Sequence, residues 1–381
     1  MKIGITTFGG DGGKSGISQY IINLLREFSA NRNGYEYEVL IYEDEKEIFL
    51  PDTNGMKALS FGERLRNPII NVGWHQVALP ELCKKHNYDV LFLPAGNRRL
   101  PVTSACPTVG TVHDFSSIHV KGKYDAARMF YITRVLPGLV RRLSQVLTVS
   151  ESSKRDIIEY ARVPEDRITV TPLAADSSLY FPRDKAECAE KVRHRFGFEG
   201  PYILFISRIE HPGKNHVRLI RAFSRLKERE HLPHKLVLAG SDWGGADEVH
   251  RTAAQSSFAD SIIFTGFAKT EDLPDLYSGS DLFVFPSLYE GFGLPVLEAM
   301  ASGVPVACSN ISSMPEVAGD AAALFDPYDE EAIEDALRQM LTNDERLRDA
   351  ARRGLDRSRE FTWAKTAAQT LDVIRRTAKE V

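Results

Sequence analysis

Glu290 and Glu298 lie in the run Ser287-Leu-Tyr-Glu-Gly-Phe-Gly-Leu-Pro-Val-Leu-Glu-Ala-Met-Ala-Ser-Gly303. An apolar strand, 281–286, leads into it. Pro295 can open a helix, because its fixed φ and missing N–H cost nothing at the first helical positions. Gly303 can close that helix. Glu290 then sits on the loop before a helix N-terminus and Glu298 just inside the helix. Gly291 and Gly293 allow close backbone approach and point N–H groups at an anion. Amides for phosphate and carboxylates for hydroxyls suit a hydroxyl-rich ligand that carries phosphates.

A second constellation follows the apolar run 202–206. Arg208 and Lys214 flank Glu-His-Pro-Gly, two cations on one loop. Fixed cations stabilise a leaving group that gains negative charge as its bond breaks, typically by about 2–4 kcal/mol per contact. His113 and Asp114 end another apolar run, where a histidine beside an acid points to a crevice. Near the N-terminus, Gly9-Gly-Asp-Gly-Gly-Lys-Ser-Gly16 invites a phosphate-loop reading through Gly13-Lys14-Ser15. Phe8 stands where that motif needs glycine, and the apolar run 90–94 ends without the acid that would help hold Mg²⁺. A mobile glycine-rich loop is the other reading, with a plain surface turn as the bland one. No Asp-x-Asp pair occurs, so no metal is expected to carry a diphosphate.

These residues need elements to hold them. Apolar runs at 3–7, 38–42, 90–94, 108–112 and 146–150, then at 202–206, 235–239, 261–265, 282–286 and 304–308, alternate with helical patterns such as 16–28, 217–229 and 330–341. That alternation predicts α/β architecture with parallel sheets covered on both faces. The chain of 381 residues suits two doubly wound domains, expected over 1–175 and 176–360, with a final helix over 361–381. Ligands of such sheets bind at the strands' carboxyl ends, where the residues above fall.

Composition is that of a water-soluble protein, 43% apolar and 26% charged, and a net charge of −4 gives no drive toward nucleic acid. Cys83, Cys106, Cys188 and Cys308 show no metal or disulfide spacing, so a reducing compartment is expected. There is no apolar run of membrane-spanning length and no signal-peptide pattern. The segment 121–142 interleaves Lys121, Lys123, Arg128, Arg134, Arg141 and Arg142 with Met129, Phe130, Tyr131 and Leu136. It reads either as an amphipathic helix on an anionic membrane or as a solvated face over a core.

Over nearly its full length the sequence resembles the family 4 retaining glycosyltransferases of GT-B fold, two Rossmann-like domains facing a central cleft. The resemblance implies a cytoplasmic enzyme that moves a hexose from a nucleoside-diphosphate sugar to a saccharide or polyprenyl-linked saccharide, without cofactor or metal. It implies that Glu298 takes ribose hydroxyls and Glu290 a hexose hydroxyl, with Gly291, Phe292, Gly293 and Leu294 beside them. Arg208 and Lys214 would hold the diphosphate, although Ser207 stands where a glycine often precedes the arginine. Gly240, Phe267 and Ala268 would line the nucleotide. Gly12 and Gly13 would approach the phosphates, and Gly16 and Asp114 would face the acceptor. His113 would bond the transferred sugar, and the last helix would pack back on the first domain. The stretches 113–155 and 208–215 look like bacterial surface-polysaccharide members, which points to GDP-mannose and peripheral contact with the cytoplasmic membrane. An epimerase or phosphorylase of the same architecture, or a nucleotide-binding protein without activity, is the alternative.

Overall fold

The computed structural model describes all residues except 14, 32–33, 52–54, 121, 123–124 and 380–381. The chain divides into two compact units, Met1–Phe115 with Ala126–Leu173 and Thr362–Val381, and Ser116–Asp125 with Ala174–Phe361. Ser116–Asp125 thus groups with the second unit, although the first domain was expected to run unbroken to 175.

The first unit is built on β1 (Lys2–Thr6), β2 (Glu36–Tyr42), β3 (Lys57–Phe61), β4 (Val90–Leu93), β5 (Thr108–Thr111), β6 (Gln145–Thr148) and β7 (Ile168–Val170). They form one sheet in the order β3-β2-β1-β4-β5-β6-β7. Every pairing is parallel. The second unit holds β8 (Tyr202–Ile206), β9 (Lys235–Ala239), β10 (Ile262–Gly266), β11 (Leu282–Phe285), β12 (Val306–Ser309) and β13 (Ala322–Phe325), in the order β10-β9-β8-β11-β12-β13. These too pair in parallel. Parallel strands need crossovers, and helices make them on both faces. The central strands are consequently apolar throughout: all four residues of β4 and of β11 are buried.

Sequence periodicity found ten of these thirteen strands and missed β3, β7 and β13. The His113–Asp114 pair therefore follows the fifth strand of its unit, not the fourth. Within the segment 121–142, residues 126–140 form one continuous helix with a widened middle turn: α-helical over Ala126–Phe130, π-helical over Tyr131–Val135 and α-helical again over Leu136–Val140. Pro137, which has no N–H to give, stands where the widened turn ends. Lys121 and Lys123 lie outside the described residues.

In each sheet the direction of winding reverses at one place, between β1 and β4 and between β8 and β11. A crevice opens there at the strands' carboxyl ends. Leaving β8, the chain stays paired with the segment after β9. Ser207 N–H donates to Ala239 O at 3.0 Å, and Ile209 N–H to Ser241 O at 2.9 Å. Gly240 makes this approach possible: a Cβ there would lie 1.8 Å from Ser207 O. Gly240→Ala should accordingly destabilise the protein by about 3 kcal/mol or more, read as a lowered urea midpoint. A change under about 0.5 kcal/mol would show that the two segments can separate freely.

Candidate functional site

Lys214 stands at the end of the loop that leaves β8. The next residue, Asn215, has a left-handed backbone (φ 64°). Its buried carboxamide donates to Pro286 O at 3.0 Å and Pro327 O at 2.7 Å. Leu288 N–H donates to Gly213 O at 2.9 Å, so the loops after β8 and β11 are tied at two points. His216 opens the next helix and is buried, its Nε2 3.3 Å from Ser207 Oγ. Burial drives its pKa down to about 3, so it braces the loop as a neutral ring.

Between these ties lie the charges. Lys214 Nζ sits 2.5 Å from Glu290 Oε1, and each side chain is 17% exposed. The family resemblance implied separate partners for these residues, a diphosphate and a sugar hydroxyl. They neutralise one another across the switch point. Arg208 lies 3.3 Å from the buried Glu210, and its guanidinium lies over the Trp243 indole at 4.8 Å. Nearly half its side chain is exposed, so its charge is positioned without being covered.

Gly291 and Phe292 are buried, and Leu294 is half-buried. Ser312 and Ser313 fix this stretch from outside. Ser312 Oγ donates to Glu290 O and lies 3.2 Å from Glu290 N, while Ser313 Oγ reaches Glu290 O at 3.0 Å and Phe292 O at 2.9 Å. Gly293 caps the helix Leu294–Ala301 at φ 97°, and a Cβ there would meet Met314 Cε at 2.2 Å. Pro295 occupies the first turn of that helix.

Glu298 lies in the same helix and bonds the Tyr277 hydroxyl at 2.8 Å. Burial raises its pKa to about 7, outweighing the hydrogen bonds from Tyr277 and Tyr180, and Asp176 adds to the rise. Gly240 lies beside Ser207. Phe267 presents an exposed ring after β10, and Ala268 next to it is buried. His119 stacks on Tyr289 at 4.2 Å, adding an aromatic wall next to Glu290. Asn215, Ser312, Ser313, Tyr277 and this stack escaped the sequence reading. Ser312-Ser313 carried the one available hint, a polar pair after β12.

The remaining candidates belong to the first unit. His113 is buried; its Nε2–H donates to Pro94 O at 2.8 Å and its backbone N–H to Asn97 Oδ1 at 3.2 Å. Burial, together with the nearby Arg98 charge, lowers its pKa despite Asp114. The ring is therefore neutral, with Nε2 committed and Nδ1 as the nitrogen able to accept. Asp114 O accepts from Asn97 Nδ2 at 3.4 Å. Gly12 and Gly13 take left-handed conformations (φ 65° and 88°), and Gly13 O accepts from Gln19. Nothing would obstruct a Cβ at Gly16, the first residue of its helix. Lys14 lies outside the described residues.

Two doubly wound units, the second with cations and carboxylates converging at its switch point, define the GT-B class of glycosyltransferase. The chain belongs to the family 4 (group 1) glycosyltransferases: the profile "Glycosyl transferases group 1" matches residues 189–357 and "Glycosyltransferase Family 4" matches residues 14–179. It is 37% identical to O-antigen chain mannosyltransferase B of Escherichia coli, over 69% of each chain. It is 33% identical to the serotype-specific mannosyltransferase WbdA of the same organism, over 70% of this chain but 33% of that longer one. The fold matches Anabaena HepE in complex with UDP-glucose (TM-score 0.76, 19% identity, 99% of this chain and 100% of that one). It also matches a Rickettsia africae glycosyltransferase (TM-score 0.73, 17% identity, 100% and 99%).

The raised pKa of Glu298 predicts a pH dependence. Its ordinary value is 4.5 and its folded value about 7. Below that interval the carboxyl is protonated in both states. Within it the unfolded chain ionises while the folded protein keeps the proton, so stability falls as pH rises. Glu298→Gln should therefore flatten the loss of melting temperature between about pH 5 and pH 8. Equal slopes for variant and wild type would show that Glu298 ionises without cost.

Proposed function

We propose that the enzyme transfers mannose from GDP-mannose, with retention of configuration, to a saccharide carried on a lipid, in the assembly of a bacterial surface polysaccharide. The observation that carries the reading is Arg208 and Lys214 on one braced loop at the β8/β11 switch point, with Glu290 and Glu298 on the facing loop and helix. Likeness to the O-antigen chain and serotype-specific mannosyltransferases of E. coli supports the sugar and the pathway class.

On this reading Glu298, once ionised, accepts from the ribose hydroxyls, and Tyr277 orients it. The diphosphate takes Lys214 from Glu290, and the freed Glu290 accepts from a sugar hydroxyl. Gly291, Phe292, Gly293 and Leu294 bring backbone close to the sugar and phosphates, while Gly240, Phe267 and Ala268 take the nucleotide. As the bond between the anomeric carbon and the diphosphate breaks, charge grows on the departing oxygen, and Arg208 and Lys214 meet it. These cations do the work a metal would otherwise do, so no metal is required. The acceptor hydroxyl attacks from the face of departure, and its proton leaves with the diphosphate. His113 Nδ1 accepts from a hydroxyl of the transferred sugar, Gly12 and Gly13 approach the diphosphate, and Gly16 and Asp114 serve the acceptor side.

Among the described residues no helix is long and apolar enough to cross a membrane. Peripheral contact through 126–142 is proposed instead, since Phe130 is 64% exposed there and Arg134, Arg141 and Arg142 are exposed around it.

Arg208→Ala and Lys214→Ala should each lower kcat for mannosyl transfer by about 10²–10³, while Lys14→Ala should change it little. GDP, in preference to UDP, dTDP or ADP, should raise the melting temperature of the wild type and not of Arg208→Ala. Near-normal transfer by Arg208→Ala would overturn the mechanism. Stabilisation by ATP with Mg²⁺ alone would restore the phosphate-loop reading.

A further inference from the structure

The first sheet has a switch point of its own, between β1 and β4, which the donor reading leaves without an occupant. A cavity of about 200 Å³ opens there, lined by Gly9, Gly10, Tyr42, Asn71, Arg66, Arg98 and Arg99. With a water's share of liquid volume near 30 Å³, it has room for a phosphate or diphosphate and little more. Three guanidinium groups line it and, among the described residues, no carboxylate does.

The three arginines are not equivalent. Arg66 is held by Asp44 and Glu45, at 2.6 and 3.1 Å, and is largely neutralised. Arg98 donates to Gly9 O, which joins the β1 loop to the end of β4. Arg99 gives Nε–H to Asn71 Oδ1 at 2.7 Å and a second N–H to Arg98 O at 2.8 Å. Both acceptors are neutral oxygens, so Arg99 keeps its full charge. Asn71, oriented by Tyr42 Oη at 3.1 Å and Leu65 O at 2.8 Å, fixes the plane of that guanidinium. A planar fork of fixed orientation and unspent charge is built for a phosphate. Burial lowers the pKa of His75, and the Arg99 charge adds to that; burial likewise lowers that of His113, and the Arg98 charge adds to it. The same field reaches the imidazole proposed to meet the sugar.

We infer that this cavity binds a phosphate or diphosphate group of the acceptor, with Arg99 as principal contact and Arg98 beside it. That the group belongs to the acceptor rests on the donor's occupying the second unit, as proposed above; anion binding by the cavity does not.

Calorimetric titration with inorganic pyrophosphate tests the site. Arg208→Ala/Lys214→Ala is the starting protein, so that the proposed donor site cannot contribute. Pyrophosphate should still bind it. Adding Arg99→Gln should weaken that binding at least tenfold, and Arg99→Lys should restore part of it. On an otherwise wild-type background, Arg99→Gln should keep its circular dichroism spectrum and its stabilisation by GDP, which separates a lost site from lost folding. If pyrophosphate fails to bind the starting protein, or binds equally with and without Arg99→Gln, there is no such site. A second titration uses geranyl diphosphate. Binding at least as tight as pyrophosphate supports an acceptor's group, whereas exclusion of geranyl diphosphate would overturn that source and leave a site for free anions. Failure of the donor reading would show separately, as loss of the GDP shift in the wild type.

Discussion

The buried carboxamide of Asn215 governs the geometry of the second unit's site. It donates to Pro286 O, at the end of β11, and to Pro327 O, beyond β13. Two loops that leave neighbouring strands in opposite directions of winding are thereby held at a fixed separation. Lys214 precedes Asn215 and inherits that position; Glu290 lies on the other loop and inherits the matching one. An asparagine also tolerates the left-handed backbone this corner demands better than most residues. Removing its side chain would strand two buried carbonyl groups and loosen the distance on which the ion pair depends.

The charges at the site are arranged in pairs that a ligand must rearrange. Lys214 and Glu290 are satisfied by each other, Arg208 by Glu210 and Trp243, and Glu298 by Tyr277. A neutral resting site avoids the cost of unpaired charge in a half-buried crevice. On the proposed reading a diphosphate sugar would exchange these partners: phosphate for Glu290 at the lysine, hydroxyls for the lysine at Glu290.

Much of this was legible in the sequence, for a physical reason. Strands buried on both faces must be continuously apolar, so β4, β8, β9 and β11 announce themselves, and residues at their carboxyl ends are marked out by position. Glu290, Glu298, Arg208 and Lys214 were found that way. The missed strands lack that signature. β3 and β13 sit at sheet edges with half-exposed residues such as Leu324, and β7 has only three residues. Asn215 and Tyr277 were invisible, and Ser312 and Ser313 offered only their polarity, because their work is done through partners distant in the chain. Arg98 and Arg99 carry no signal in the sequence, because what sets one of them apart is its orientation by Asn71 on a separate helix. The pairing of Lys214 with Glu290 could not be read either, since sequence gives each residue a role with ligand and none without it.

The chain leaves the first unit after Leu173 and returns to it at Thr362. The returning helix, Trp363–Thr377, packs on the helix Gly16–Ala30, buries Trp363 near the Tyr20 ring and gives the Thr366 hydroxyl to Pro172 O across 194 residues of sequence. On the ribosome the N-terminal unit therefore emerges first but cannot finish its core. It must wait, with the Tyr20 face uncovered, until the whole second unit has been made. Of the two units, the one whose first strands are made earlier is the later to close, so their folding is ordered against the direction of translation.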